Sequence, residues 1–511
     1  MCSAIDLLLC PALICVLLEL FRGSLAALVL VFPPGNSVWT MHYSPFERPM
    51  QFHQFSRRNF LSTVATVAAG SAAFPLRGVL SAADDLPRPH ILLRPGTHQG
   101  GNIGDIAHSP GALKLFQNHF PEARFTVWPV GISETSRSNL LKMFPEVNLV
   151  EGNIDRQGKA STPQLQQAWD TADLLLHGSS PGFKGQSYMP AWKATSDKPY
   201  GIFGMTHDPL SGVTGDFPDG APLATFRKAI ERLPENHMRQ TTKELLDGAA
   251  FIYCRDTLTQ RYLEQQKVKS PLIAFGPDAT FALRIRDDES ADRYLKEKGL
   301  QEGRFLCVIP RLRYTPYHRL QGREPSKADL LKDQVNEKTV ARDHEEMRGV
   351  ITRWVRETGL PVLACPEMSY QIELAREQLV DPLEEDVKSH VVWRDTYWQP
   401  DEAASVYARS TAVMSFECHS PIISLTNGTP AIYLRQPTDT IKGQMYHDIG
   451  VSDWTFEAGE TNRDDWYRAI ETIASDPAAA RRRVEKVMAG INAIQRNMVM
   501  TARSTVTSPR R

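Results

Sequence analysis

The sequence predicts an α/β protein with two doubly wound domains, each a parallel sheet covered by helices. The main observation is that short apolar runs alternate with longer helical stretches from about Pro89 onward, as repeated βα units require. The charged stretch 284–298, a linker or a surface helix, interrupts this alternation before it restarts. A length of 511 residues with 42% hydrophobic residues is sufficient for two such cores.

The first domain is predicted at residues 88–290. Its expected strands are residues 91–93, 125–128, 174–177, 200–205, 251–254 and 272–275. Its expected helices are residues 112–119, 138–144, 165–171, 238–247 and 258–266. Short, continuous apolar runs bounded by turn residues are typical of strands that are buried on both faces of a parallel sheet.

The second domain is predicted at residues 300–497, followed by a flexible tail at 498–511. Its expected strands are residues 305–309, 361–364, 391–393, 412–415 and 431–434. Its expected helices are residues 344–357, 372–379, 401–409, 422–426, 463–474 and 477–497. Because open α/β sheets bind ligands beyond the carboxyl ends of their strands, we expect a cleft between the domains, lined by the loops that follow strands.

The N-terminal region contains the pattern of a twin-arginine signal peptide at residues 50–83. Met50 begins the segment, Arg57-Arg58 precede an uncharged stretch at 62–74, and Ser81-Ala82-Ala83 supply a small-residue cleavage site. We therefore expect residues 1–49 to be an over-extended start. The pattern predicts export to the periplasm or cell envelope; an uncleaved anchor, or a cytoplasmic protein whose signal is not used, are the alternatives.

Charge and cysteine content exclude several classes of protein. Lys and Arg number 58 against 59 Asp and Glu, so there is no broad electrostatic case for binding nucleic acid or an anionic membrane. The cysteines after the signal are Cys254, Cys307, Cys365 and Cys418. They are far apart without CxxC spacing, which argues against a disulfide scaffold or a zinc site. We predict no metal.

A glycine loop, Gly100 to Asp105, follows the first predicted strand and precedes a helix. Glycine lets backbone approach a ligand closely, and a helix N-terminus favours negative charge, so this arrangement can form an anion site. Its spacing is neither GxGxxG nor that of a P-loop. The alternative is a tight turn in which Asn102 and Asp105 cap the helix.

Two other loops after predicted strands carry candidate binding residues. His177 precedes a turn rich in glycine and serine, which is either a binding loop or a satisfied turn. Arg311 and Arg313 follow the first strand of the second domain, where a guanidinium suits the bidentate binding of phosphate or carboxylate. Solvated loop arginines are the alternative.

The densest group of reactive residue types is Glu417-Cys418-His419, followed by Gly428-Thr429-Pro430 and Lys442. His419 is predicted at a strand-to-helix junction, where a protonated imidazole and a bound anion can meet. A histidine hydrogen-bonded within the junction is the alternative. A Cys418-His419 nucleophile pair is disfavoured, because neighbours in sequence seldom face one another and no Cys-His-Asn signature is present.

Several weak motifs occur in one particular order along the chain. They are Gly101 to Asp105, residues 172–176 with their glycine-serine turn, residues 198–202, Cys254-Arg255-Asp256, residues 276–281, and His419 with Gly428-Thr429-Pro430. In this order, from Arg88 to about Gly450, the sequence resembles the polysaccharide pyruvyl transferase family.

The resemblance implies two Rossmann-like domains facing a cleft, as in glycosyltransferases of the B type. It implies transfer of pyruvate from phosphoenolpyruvate to a sugar of a cell-surface polysaccharide as a ketal, without a cofactor. The implied catalytic residues are His419 and Asp105, with Asp208 and Glu417 as other candidate bases. The implied substrate-binding residues are Gly101, Asn102, Gly104, His177, Arg311, Arg313, Glu417 and Lys442.

Two features depart from the family pattern. Glu417 stands two residues before the late histidine, where the family usually has arginine, and it reverses the charge beside the expected phosphate site. Export also conflicts with phosphoenolpyruvate, which is a cytoplasmic metabolite. Either the protein is not exported, or it uses another donor, or it has lost the reaction. A glycosyltransferase using a nucleotide sugar and an exported non-catalytic carbohydrate-binding protein are the functional alternatives.

Overall fold

The computed structural model describes residues 27–30, 38–42, 52–55, 88–95, 101–210 and 215–508. Three short antiparallel strands form a sheet of their own: β1 (Ala27–Leu30), β2 (Val38–His42) and β3 (Phe52–Phe55). The predicted signal peptide at 50–83 lies outside the described residues except for β3. Residues from Arg88 onward form a separate compact unit.

The first sheet of this unit has seven parallel strands. They are β4 (His90–Arg94), β5 (Arg124–Val127), β6 (Asn148–Leu149), β7 (Leu174–His177), β8 (Tyr200–Met205), β9 (Ile252–Cys254) and β10 (Ile273–Phe275). Their spatial order is β10-β9-β8-β7-β4-β5-β6, and all neighbours are parallel. The order reverses between β4 and β7, and the loops after these strands therefore border the expected ligand crevice.

The second sheet has six parallel strands. They are β11 (Leu306–Ile309), β12 (Val362–Ala364), β13 (Val391–Trp393), β14 (Ala412–Ser415), β15 (Ala431–Arg435) and β16 (Thr455–Glu457). Their order is β13-β12-β11-β14-β15-β16, again parallel throughout, with the reversal between β11 and β14. The predicted α/β class with two doubly wound, Rossmann-like domains is confirmed.

Helices cover both sheets. In the first domain they are α1 (Ile103–His119), α2 (Glu134–Met143), α3 (Pro163–Thr171), α4 (Met189–Thr195), α5 (Leu223–Glu231), α6 (Gln240–Asp247) and α7 (Thr257–Gln265). The helices that follow are α8 (Asp288–Glu297), α9 (Tyr317–Leu320), α10 (Lys327–Thr358), α11 (Gln371–Ala375), α12 (Glu385–Lys388), α13 (Pro400–Ala408), α14 (His419–Thr426), α15 (Gln444–Asp448), α16 (Arg463–Ser475) and α17 (Pro477–Thr507). Within the described parts of the chain, no helix combines the length and apolarity needed to cross a membrane.

The strands are apolar on both faces because helices bury both sides of each sheet. In β4, Ile91 and Leu93 belong to one hydrophobic cluster and Leu92 belongs to another, as the two-residue period of a strand requires. All three side chains are inaccessible to solvent. Burying each of them contributes roughly 1.5–3 kcal/mol. This burial explains why the sequence shows continuous apolar runs.

Helix α17 belongs to both domains. Val484 and Met488 lie in the core of the second domain, whereas Met498, Val499 and Ala502 lie in the core of the first. The structure thus corrects the flexible tail predicted for residues 498–511, since the helix continues to Thr507. The prediction failed because these few apolar residues gain their burial from the first sheet, which is distant in sequence.

His90, at the start of β4, is only 2% exposed. Its ring nitrogens lie 3.0 Å from Thr171 Oγ1 and 2.9 Å from Thr126 Oγ1. Burial, assisted by the positive charge of Arg124, lowers the pKa of His90 from 6.5 to about 4. Its imidazole is therefore neutral in the folded protein at pH values where the unfolded chain is protonated.

We expect this histidine to make stability dependent on pH. Between 6.5 and about 4 the unfolded state binds a proton that the folded state excludes. The free energy of unfolding must therefore decrease as the pH is lowered through this range, by about 1.4 kcal/mol per pH unit from this group. In urea denaturation at about pH 7 and about pH 5, wild type should lose more stability than His90→Gln, whose amide keeps the contacts to threonine. Equal losses would contradict the prediction.

Candidate functional site

The loops that follow β4 and β12 join the two domains at the carboxyl ends of their sheets. Asn102 and Met368 form an isolated antiparallel bridge. The amide of Ile103 donates to the carbonyl of Glu367 at 3.2 Å, and the amide of Ser369 donates to the carbonyl of Gly101 at 3.0 Å. The glycine loop is therefore held against the second domain by backbone hydrogen bonds.

Within the glycine loop, Asn102 is the N-cap of α1. Its side-chain oxygen accepts hydrogen bonds from the amides of Gly104 at 2.8 Å and Asp105 at 3.2 Å. Gly101 has a φ of +77°, a backbone conformation that favours glycine. Capping therefore occupies the Asn102 oxygen, and Asp105 lies partly exposed in the first helical turn.

His419, the first residue of α14, lies directly against the glycine loop. A Cβ atom placed on Gly104 would stand 2.1 Å from His419 Nδ1, which only glycine avoids. The imidazole is 8% exposed. Two motifs that are more than three hundred residues apart are thus in contact.

The two ring nitrogens of His419 have different surroundings. Nδ1 lies 3.3 Å from Glu367 Oε1 and 3.6 Å from Cys418 Sγ. Nε2 lies 3.8 Å from Asp278 Oδ2 and has no hydrogen-bond partner among the described residues. Burial opposes protonation, but Cys418 and Glu367 outweigh it and raise the pKa of His419 well above 6.5. The imidazole is therefore a buried cation with one donor unused.

Asp278, in the loop after β10, is the buried anion beside His419. Its carboxylate pairs with Arg255 and accepts hydrogen bonds from Ser179 Oγ at 3.2 Å and the Thr280 amide at 2.9 Å. His108 Nδ1 lies 2.9 Å from the same carboxylate. Burial raises the pKa of Asp278, but His108 and Arg255 more than reverse this and hold it well below 3.8.

Three side chains of this cluster lie close enough together to share a metal ion. His108, Asp278 and His419 each offer a ligand atom, and these atoms lie within 4.8 Å of one another. Both Asp278 oxygens, however, already accept hydrogen bonds or pair with Arg255. Asp278 and Glu367 are also balanced in charge by Arg255 and a protonated His419. The charges and hydrogen bonds of this cluster therefore suit a protonated His419 better than a divalent cation bound between the three side chains.

Glu417, the departure from the family pattern, is neutralised by Arg311. Arg311 Nε lies 3.1 Å from Glu417 Oε1, and the same guanidinium pairs with Asp439. Gln371 Nε2 also donates to Glu417 Oε1 at 2.7 Å. Burial raises the pKa of Glu417 to about 7, although Arg311 opposes this. One guanidinium shared by two carboxylates leaves no surplus positive charge here.

The other predicted binding residues lie in different settings. Arg313 forms a two-pronged ion pair with Asp343 of α10, at 2.6 and 3.0 Å. His177 is buried, with Nδ1 2.8 Å from the Gly178 carbonyl and Nε2 accepting from the Lys184 amide at 3.1 Å. Both side chains hold local structure, and neither contacts His419 in the described part of the chain.

Lys442 and Asp105 are predicted site residues whose charged groups form no ion pair within the described residues. The charge of Lys442 acts on Glu417 and Asp439 and lowers the pKa of both. Burial raises the pKa of Tyr317, and the charges of Asp105 and Glu417 both contribute to this increase, so both carboxylates lie near this phenol.

Asp208, another candidate base, lies in the loop after β8, and its Oδ2 is buried with no hydrogen-bond partner among the described residues. Its Oδ1 accepts a hydrogen bond from the Leu210 amide at 2.8 Å, which closes a turn after β8. Sequence reasoning missed His108, Asp278 and Glu367 as site residues. For Asp278 and Glu367 a signal was present, because each follows a predicted strand at the carboxyl edge of a sheet.

We expect Gly104→Ala to displace the His419 ring, because the new methyl group would overlap it. Overpacking of this kind costs about 1–3 kcal/mol. The unfolding free energy should fall by that amount, and the NMR signals of His419 should shift. Gly182→Ala is the matched control, since a Cβ there meets nothing within 4 Å. Unchanged His419 signals in Gly104→Ala would contradict the described contact.

Comparison with solved structures shows where this fold recurs. A protein assigned as a UDP-N-acetylglucosamine 2-epimerase from Listeria monocytogenes matches with a TM-score of 0.50 and 12% identity, covering 83% of this chain and 98% of that one. A glycosyltransferase from Rickettsia africae matches with a TM-score of 0.47 and 11% identity, covering 83% and 100%. A UDP-glucose:anthocyanidin 3-O-glucosyltransferase in complex with UDP matches with a TM-score of 0.47 and 10% identity, over the same shares. The likeness to the epimerase confirms the glycosyltransferase-B-like fold.

Comparison with curated proteins finds no match. Comparison with family models gives a match over residues 102–436, from the N-cap of α1 to the end of β15. The matched region contains the glycine loop from Asn102 onward, Asp278, Glu367 and His419, and it is described as polysaccharide pyruvyl transferase. Since it spans more than half of the sequence, the chain belongs to the polysaccharide pyruvyl transferase family.

Proposed function

We propose that this protein transfers pyruvate from phosphoenolpyruvate to two hydroxyl groups of one sugar in a glycan, forming a ketal. The observation that carries the proposal is the contact between His419 and Gly104, which places a buried imidazolium at the interdomain edge. Family membership supports a transferase acting on a polysaccharide. The donor and the ketal chemistry are the parts that require testing.

The reaction needs one proton donor, one proton acceptor and a site for anions. Protonation of the donor's methylene carbon makes its neighbouring carbon electrophilic, and a sugar hydroxyl attacks that carbon and loses its proton. The carbon–oxygen bond to phosphate then breaks, and the second hydroxyl adds and loses its proton. One proton ends in the new methyl group and one on the released phosphate.

His419 and Lys442 are the cations available to the donor's phosphate and carboxylate. His419 Nε2 has no hydrogen-bond partner, and Lys442 has no ion-pair partner, within the described residues. Arg311 and Arg313 are paired with Asp439 and Asp343 respectively. A charge-assisted hydrogen bond from an imidazolium is about twice as strong as a neutral one, which suits phosphate binding.

Glu417 and Asp105 are the carboxyl groups suited to move protons. With a pKa of about 7, Glu417 is protonated in a large fraction of molecules at neutral pH and can donate to carbon. Asp105 is partly exposed in the first turn of α1. We assign Glu417 as the acid and Asp105 as the base.

Purified protein incubated with phosphoenolpyruvate and a surface glycan should release phosphate and yield a ketal methyl signal by NMR. His419→Ala should lower kcat/KM at least about a hundredfold, as loss of an acid–base or charged group does. Lys442→Gln should mainly raise KM for the donor. Lys388→Gln, at an exposed lysine that pairs with Asp381, is the control. Equal phosphate release by wild type and His419→Ala would refute the assignment.

The proposed acid predicts a pH profile. Because Glu417 has a pKa of about 7, raised chiefly by burial, its protonated fraction falls about tenfold per pH unit above that value. The turnover number at saturating donor should fall in parallel as pH rises. Glu417→Gln should be slow at every pH, since its amide cannot donate a proton to carbon. An unchanged profile in this variant would exclude Glu417 as the acid.

Two other functions give different outcomes in the same experiments. A glycosyltransferase would bind a nucleotide sugar and release no phosphate from phosphoenolpyruvate. An exported carbohydrate-binding protein would bind glycan without turnover. Calorimetric titration with a nucleotide sugar and with the glycan separates these from the proposed transfer.

A further inference from the structure

Glu367 lies in the loop after β12, where it is fully buried. Its carbonyl accepts the hydrogen bond from the amide of Ile103, next to the glycine loop. Its own amide donates to Gln371 Oε1 at 2.7 Å, and Gln371 in turn donates to Glu417. The backbone of Glu367 is therefore fixed from both domains.

The Glu367 side chain occupies the N-terminus of α14. Its Oε2 accepts from the Ser420 amide at 2.6 Å and from Ser420 Oγ at 2.8 Å. The N-cap residue of this helix, Cys418, makes no capping bond with its own side chain. A carboxylate from a distant loop thus takes the place of a local cap, at the end of the helix where negative charge is favoured.

The second oxygen of the same carboxylate faces His419. Glu367 Oε1 lies 3.3 Å from Nδ1, the nitrogen turned away from Asp278. With Nδ1 donating to Glu367, the proton on Nε2 is the only one left for a ligand. Nε2 is also the atom that has no hydrogen-bond partner in the described part of the chain.

We infer that Glu367 is a positioning residue for His419: its carboxylate holds Nδ1–H and the N-terminus of α14, so that Nε2–H is presented to the donor anion. The inference rests on the proposed function only in naming that anion. It also means that the Ser420 amide at the start of α14 is not available to the donor, because the chain's own carboxylate accepts its hydrogen bond.

Charged or titratable groups of several elements lie near His419. They are Glu367 from the loop after β12, Asp278 with its partner Arg255 from the loop after β10, His108 from α1, and the neighbouring thiol of Cys418. Of the two carboxylates, only Glu367 faces Nδ1, within 3.3 Å. Removing its charge should therefore act on the imidazole through Nδ1 and leave the Asp278 cluster intact.

Glu367→Gln tests the inference in the full-length protein. The amide oxygen can still accept from Ser420, so α14 keeps its cap, but the nitrogen cannot accept the Nδ1 proton. With histidine labelled with ¹⁵N, the pKa of His419 should fall by about one pH unit or more, since the favourable charge is lost. The turnover number should fall more than KM changes, with the melting temperature close to that of wild type.

Ser420→Ala is the matched control, because it removes one hydrogen bond to the same carboxylate but leaves its charge beside His419. It should leave the pKa of His419 unchanged. An unchanged pKa of His419 in Glu367→Gln would overturn the inference and reduce Glu367 to a helix cap. If Glu367→Gln does not fold, the same measurement on the wild-type protein tests the inference. ¹⁵N chemical shifts that show His419 Nδ1 unprotonated at neutral pH would overturn it.

These NMR measurements need no substrate, so they separate the inference from the proposed function. A lowered pKa of His419 in Glu367→Gln, without turnover of phosphoenolpyruvate by wild type, would support the positioning role and refute the proposed donor. Turnover of phosphoenolpyruvate by wild type, together with an unchanged pKa of His419 in Glu367→Gln, would support the proposed donor and refute the positioning role.

Discussion

The site depends on the close approach of the Gly104 backbone to the His419 ring. The contact is possible because residue 104 has no Cβ and because the loops after β4 and β12 are joined by backbone hydrogen bonds. These bonds hold the glycine loop of the first domain against the loop after β12 of the second. Asp105 and His108 on α1, Glu367 in the loop after β12 and His419 at the start of α14 all lie around this contact.

Charge balance is the second constraint. The described residues around His419 include three buried carboxylates, Asp278, Glu367 and Glu417, and each has a cationic or hydrogen-bonding partner. Burying an unpaired carboxylate costs several kcal/mol, so a family arginine cannot become glutamate without compensation. Arg311, in the loop after β11, supplies it. Arg311 thereby stabilises the buried Glu417 carboxylate.

The sequence predicted the architecture well because parallel strands buried on both faces appear as short apolar runs. It missed β6, which has two residues, and β16, an edge strand whose side chains are half-buried. It also missed the first half of α10, where charged residues outnumber apolar ones. These elements owe their structure to neighbours distant in sequence, which local patterns do not report.

The location of the site was predictable from the sequence, but most of its hydrogen bonds and ion pairs were not. His419 and the glycine loop stand out because glycine and histidine are conspicuous at strand ends. Arg311 and Arg313 looked equivalent in the sequence, yet Arg311 pairs with Glu417 and Arg313 pairs with Asp343 on α10. Which partner an arginine finds depends on three-dimensional packing. Glu367 carries no local motif, and its role follows only from what lies opposite it.

Helix α17 has a consequence for how the chain acquires this site. Its last turns complete the hydrophobic core of the first sheet, and Gln495 donates to the carbonyl of Asp278 at 2.8 Å. During synthesis the first domain therefore cannot close its core until residues 498–502 have left the ribosome. The core of the first sheet, and the backbone of Asp278 in the candidate site, are thus completed by a helix that follows the whole of the second sheet in sequence.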